Sequence, residues 1–131
     1  MIYFIQFRAP EEYAYTEETE KIDVYSLGNV FYSILMRTWP FEGESDSEDV
    51  QKRIKRGHRP HISSRFVKSE DPFDQAMVKA IQMCWVQNAE ERASALEVKQ
   101  YIEGELIRLK AIDPDEETED QKQSQSSKGK R

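Results

Sequence analysis

The stretch Thr19–Arg37 constrains this chain more than any other. Read at helical pitch, Ile22, Val24, Tyr25, Leu27, Val30, Phe31, Ile34 and Leu35 occupy most of its circumference rather than a single stripe. A helix that is apolar nearly all round is a buried one. The rest of the chain must therefore wrap around it, and Thr19 stands where an N-cap would. A central helix of this kind calls for other helices.

The flanking sequence supplies them. "TWPFEGESDSED" breaks the pattern with Pro40 and Gly43. A short amphipathic helix is expected over about Ser47–Arg56, with Val50 and Ile54 at i and i+4. Gly57 stands at its C′ position. "GHRPHISSRFVKS" reads as loop. Asp71 and Pro72 form an N-cap and a preset first helical residue. The helix they open carries Phe73, Met77, Ile81, Cys84 and Trp85 near 3.6-residue spacing. Ser94 and Glu97 match the capping-box pattern ahead of a last helix with Leu96, Tyr101, Ile102, Leu106 and Leu109. The predicted fold is mainly α, with about four helices and no substantial β-sheet. Ile2–Phe7 is the one stretch with any strand-like alternation. The ordered domain is expected over residues 1–112. After Ile112 no aromatic or aliphatic residue occurs, so 113–131 reads as a disordered acidic and polar tail.

Charge and composition exclude several functions. With 131 residues the chain has a one-domain length, and its net charge is -6. That balance disfavours nucleic-acid binding, which needs clustered Lys and Arg. The basic run Lys52–Gly57 is better read as a solvated helix face. One cysteine, Cys84 in "IQMCWV", permits no internal disulfide, and its apolar setting makes it a small core residue rather than a nucleophile. His58 and His61 have no evident third metal ligand. The apolar start is ended by Arg8 and Pro10, too early for a signal peptide or membrane span. An intracellular, cytoplasmic location with no membrane partner is the expectation.

Four motifs, in order, resemble the second half of the helical lobe of a eukaryotic protein kinase. "RAPE" at Arg8–Glu11 resembles the Ala-Pro-Glu motif that closes the activation segment. "DVYSLG" at Asp23–Gly28 resembles D-x-W-S-x-G, with Tyr25 in the aromatic place. "GHRP" at Gly57–Pro60 resembles G-x-R-P, and "CWVQNAEERAS" at Cys84–Ser94 resembles C-W-x-x-D-P-x-x-R-P-S. Asn88 and Ala89 depart from the usual Asp-Pro, and Ala93 from the proline after the arginine. "FRAPEEY" leans to serine/threonine kinases and the Cys-Trp block to the tyrosine-kinase-like group. The resemblance implies a buried ion pair between Glu11 and Arg92. It also implies that Asp23 anchors the catalytic loop and that Gln6, Phe7 and Arg8 lie on the loop receiving the substrate residue after the phosphorylated one. The Ser47–Arg56 helix becomes a protein-docking surface.

Phosphoryl transfer works by positioning and charge neutralisation, through a Gly-rich loop, a strand lysine, a catalytic-loop Asp and Asn, and a D-F-G aspartate for magnesium. No two of the five glycines have G-x-G spacing, "HRP" at His58–Pro60 carries proline where H-R-D carries aspartate, and D-F-G does not occur. The expectation is that this chain holds neither ATP nor magnesium, the cofactors of the complete domain, and has no catalytic residue of its own. Its early Arg8–Glu11 motif implies a cut inside the activation segment. Leu27, Phe31 or their neighbours are then expected to form an exposed apolar patch, with Asp23 lacking its backbone partners. The implied partner is the missing kinase lobe or another protein, with protein substrates at family level. The alternative is a catalytically dead helical interaction module.

Overall fold

The computed structural model describes residues 5–14 and 18–109. Among them are six helices and no strand. In chain order they are α1 (Pro10–Tyr13), α2 (Lys21–Met36), α3 (Ser47–Lys55), α4 (Ser64–Val67), α5 (Pro72–Cys84) and α6 (Ala95–Arg108), with a 3-10 turn at Ile5–Phe7 ahead of them. The fold is mainly α, as expected, and four of the helices are long. The expected tail at 113–131 lies outside the described residues.

The predicted caps explain three of the helix boundaries. Asp71 accepts from the Phe73 N–H at 2.8 Å to open α5. Ser94 and Glu97 form the complete capping box of α6, at 3.1 and 2.7 Å. At the end of α3, Gly57 adopts φ 95°, and the N–H groups of Gly57 and His58 return to the carbonyls of Ile54 and Arg53. That is a Schellman closure. α3 starts on Asp46, whose carboxylate accepts from Glu48 and Asp49.

Four local expectations need correction. α2 begins at Lys21 with Glu20 as its cap residue, although the Thr19 hydroxyl still accepts from the Lys21 N–H at 3.3 Å. The loop after Gly57 contains one helical turn, α4, because Ser63 caps it by accepting from the Arg65 N–H. The last part of the strand-like stretch, Ile5–Phe7, is a 3-10 turn, while residues 1–4 lie outside the described residues. Finally, α2 is not buried on all sides. Val24, Tyr25, Gly28, Asn29 and Tyr32 are buried, whereas Val30 is 44% and Ile34 61% exposed. Leu27 and Phe31, expected in the bare patch, are instead half-buried against Val24, Cys84 and Val98. The bare residues are their neighbours one turn on.

The core has three parts. Tyr25, Tyr32, Ile81, Trp85 and Ala9 form the largest. Val24, Cys84 and Val98 join α2, α5 and α6, and Phe41, Val50 and Ile54 hold α3 beneath the turn that precedes it. α2 and α5 approach closely because Gly28 has no side chain. A Cβ there would meet the Cys84 Cβ at 2.6 Å and the Trp85 ring at 2.9 Å. Gly104, on α6, has nothing within 4 Å of the corresponding point.

The two glycines should respond with opposite signs. Gly28→Ala overpacks the α2–α5 crossing and should cost about 1–3 kcal/mol or more. Gly104→Ala restores ordinary helix propensity at an open site and should add about 0.5–1 kcal/mol. Urea unfolding midpoints of the two variants check this, and a shared sign would contradict the packing described.

Candidate functional site

A large concave feature lies between the Ile5–Phe7 turn, α2 and the segment leading into α3. It is a cleft of about 1020 Å³ that includes Gln6, Phe7 and Arg8 on one rim and Trp39, Phe41 and Val50 on the other. Two polar residues on α2 fix the first rim. Ser26 Oγ and Asn29 Nδ2 both donate to the carbonyl of Phe7, at 2.9 and 3.2 Å. Asn29 is buried and accepts in turn from the indole N–H of Trp85 at 3.2 Å. A chain of hydrogen bonds thus runs from the end of α5 to the loop beside the cleft. Reasoning from the sequence missed Ser26 and Asn29 as positioning residues. The available signal was a polar pair at i and i+3 among the apolar residues of α2.

Behind this rim, the structure brings Glu11 and Arg92 together across 81 positions. Arg92 Nη1 donates to Glu11 Oε1 at 2.7 Å and Nη2 to Oε2 at 3.1 Å, a bidentate fork. The guanidinium is fully buried and also donates to the carbonyls of Val86, Lys21 and Gln87. Lys21 reciprocates by donating its ammonium to the Arg92 carbonyl. Partial burial would by itself raise the Glu11 carboxyl. The hydrogen bonds and charge of Arg92 outweigh it and hold the group below its ordinary 4.5.

A second arginine escaped notice as a partner of this centre. Arg59, in the "GHRP" segment, donates to the Trp85 carbonyl at 3.0 and 2.8 Å and to Gln87 Oε1 at 2.6 Å. Its guanidinium lies 5.0 Å from the centroid of Tyr25, and that of Arg92 lies 5.1 Å from the same ring. Tyr25 therefore serves two cations at once. Burial pushes its phenol up to about 12, so it stays protonated and neutral. Burial likewise lifts the Cys84 thiol to about 11, which leaves it unreactive.

Asp23 is exposed on the first turn of α2, with no hydrogen bond to its carboxylate among the described residues. It is not among the residues that line the cleft. No group of three or more His, Cys, Asp or Glu side chains able to hold a metal occurs among the described residues. The cleft itself carries carboxylates along one rim, at Glu42 and Glu44, which repel a triphosphate. The described residues do not fit a magnesium nucleotide. Nor is any described helix long and apolar enough to cross a membrane.

The motifs that meet around Arg92 are matched as a unit by the model of the protein kinase domain, over residues 2–102. The chain belongs to the protein kinase domain family. Similar kinases include Receptor-interacting serine/threonine-protein kinase 2 of Bos taurus, 28% identical over 95 residues, which cover 70% of this chain and 18% of that protein. Mitogen-activated protein kinase kinase kinase 7 of Drosophila melanogaster is 31% identical over 96 residues, covering 73% of this chain and 12% of that protein. Atrial natriuretic peptide receptor 2 of Homo sapiens is 27% identical over 90 residues, covering 66% and 8%. The chain thus spans less than a fifth of the length of these relatives.

Within this kinase domain, Arg92→Ala and Arg108→Ala should separate sharply. Removing one partner of a buried pair costs about 3–5 kcal/mol. Arg108 is exposed and, among the described residues, bonded to Glu105 on its own helix, a class of pair worth about 0–1 kcal/mol. The first variant should also differ with pH. A carboxylate with a lowered folded pKa adds stability above its unfolded value and loses it as pH falls through the folded one. Unfolding midpoints of the native chain should therefore drop below pH 4.5, and the Glu11 part of that drop should vanish in Arg92→Ala.

Proposed function

We propose that residues 1–112 are the C-terminal part of the helical lobe of a serine/threonine protein kinase, and serve phosphate transfer by holding the substrate-side loop. The observation that carries this reading is the buried Arg92, which ties Glu11 and the start of α2 to the loop before α6. In this role Gln6, Phe7 and Arg8 face the protein substrate, with the Phe7 carbonyl steadied by Ser26 and Asn29. Asp23 anchors the catalytic loop of the complete domain. Receptor-interacting serine/threonine-protein kinase 2 carries that specificity in its name, which supports the serine/threonine assignment.

ATP and magnesium belong to residues other than these 131, in which G-x-G, H-R-D and D-F-G do not occur. The partner of the chain is accordingly the remainder of a kinase lobe. A groove of about 190 Å³ between α2, α5 and α6, lined by Phe31, Met77, Ala80, Tyr101, Ile102 and Leu106, offers an apolar seat for one of its helices. An intracellular site of action goes with that reading.

Calorimetric titration of the 131-residue chain with MgATP should show no saturable binding. Saturation at micromolar nucleotide would overturn the assignment of ATP to other residues. Sequencing the transcript upstream of the Met1 codon supplies the companion test. An in-frame segment encoding H-R-D and D-F-G is the expected result. Stop codons with no such motifs would make the chain a self-sufficient helical interaction module.

A further inference from the structure

The C-terminal half of α3 carries its positive charge on one side. Lys52 and Lys55 in its last turns and Arg56 at its C-cap stand at i, i+3 and i+4, so their side chains are neighbours. All three are exposed. Among the described residues none of them joins an ion pair, whereas Arg53 beside them is held by Glu44 at 3.0 Å and Asp49 at 3.6 Å. The helix dipole favours cations at this end. Like charges at these spacings nevertheless repel and weaken the helix that holds them. The face is short of an anion.

The chain supplies one beyond the described residues. Asp113–Asp120, "DPDEETED", has six carboxylates in eight positions and no cation. Its distance from α3 follows from the contacts at the two ends of α5. At the start of α5, Phe73 lines a groove with Leu109, the last described residue. Just past its end, Gln87 donates to the Lys55 carbonyl at 3.1 Å. Leu109 is therefore about one α5 length from the basic face, roughly 20 Å for 13 residues at about 1.5 Å each. Extended chain covers about 3.3 Å per residue, which puts Asp113–Asp120 about 13–36 Å along the chain from Leu109. The acidic block and the gap match in length. A long polyanion such as nucleic acid fits less well, because Glu48 and Asp49 stand one turn before Lys52.

We infer that Asp113–Asp120 docks in cis on the face of α3 formed by Lys52, Lys55 and Arg56, as an acidic clasp. Exposed ion pairs are individually weak and screened by salt. The tether offsets this, because a short linker holds the acidic block at an effective concentration of about millimolar. Docked there, the clasp runs from the end of α6 past the end of α5 and covers three cations of α3. A partner with an acidic surface gains that face only by displacing it. Neither the charge nor the reach depends on the kinase role proposed above.

The test uses the full chain with a nitroxide attached through Thr118→Cys, the native thiol of Cys84 being buried. In isotope-labelled protein at low salt, the amide signals of Lys52–Gly57 should lose intensity relative to the sample with the nitroxide reduced. The loss should fall away in about 1 M salt, where the screening length is about 3 Å. It should fall away equally in Lys52→Gln/Lys55→Gln/Arg56→Gln. A second variant leaves that face intact and neutralises the tail, Asp115→Asn/Glu116→Gln/Glu117→Gln/Glu119→Gln, and should give the same result. Loss confined to the end of α6 overturns the proposal, as does undiminished loss at Lys52–Gly57 in either charge variant or at high salt. So does the same loss in a mixture of isotope-labelled chain without nitroxide and unlabelled chain carrying it, which would assign the face to the tail of a second copy.

Discussion

The rest of the structure depends on one buried cation. Arg92 sits between α1, the start of α2 and the loop before α6, and its five N–H donors reach a carboxylate and three carbonyls. Glu11, Val86 and Gln87 belong to segments with little regular structure of their own, and Lys21 opens α2. α1 is a single turn and the Val86–Ala93 loop contains no helix. Burial of a guanidinium is unfavourable unless every donor is satisfied, so these segments are fixed relative to one another by the requirement to serve it. The hydrogen-bonding demand of one side chain thereby fixes α1 and the Val86–Ala93 loop to the start of α2.

Tyr25 extends that constraint. Its ring receives Arg92 and Arg59, and Arg59 in turn holds the Trp85 carbonyl at the end of α5. Two cations so close repel each other, and the carboxylate of Glu11 offsets only one of them. The π face of Tyr25 and the carbonyl dipoles supply the remaining compensation. Gly28, one turn further along α2, lets the Trp85 indole approach and reach Asn29, which bonds to the Phe7 carbonyl. One face of α2 therefore carries the whole link between the Arg92 centre and the rim of the cleft.

Helix ends and identities were legible because they depend on neighbours in sequence. Asp71, Ser94 with Glu97, and Gly57 each act within a few residues, through backbone groups that are always present. The extra turn at α4 was hidden because Ser63 and Ser64 suit a loop as well as a cap. The exposure of Val30 and Ile34 was hidden for a different reason. Periodicity reports that a helix has more than one apolar face, and says nothing of which face its neighbours reach. Among the site residues, Glu11 and Arg92 were found through motif resemblance, while Arg59, Ser26 and Asn29 were not assigned their contacts by any pattern in the sequence.

By itself, the sequence determined a mainly helical chain, its principal caps, its membership of the protein kinase family through four ordered motifs, and an acidic stretch with no cation from Glu42 to Asp49. Those features follow from local backbone chemistry and residue order. Only the tertiary structure decided that Tyr25 lies between two guanidiniums, that α2 leaves Val30 and Ile34 bare, and that the acidic stretch borders the same cleft as Phe7 and Trp39. Such juxtapositions depend on how α2 and α5 cross, and that crossing is set by volume exclusion at Gly28 and donor satisfaction at Arg92. Both act between residues far apart in the chain, where spacing along the sequence carries no distance.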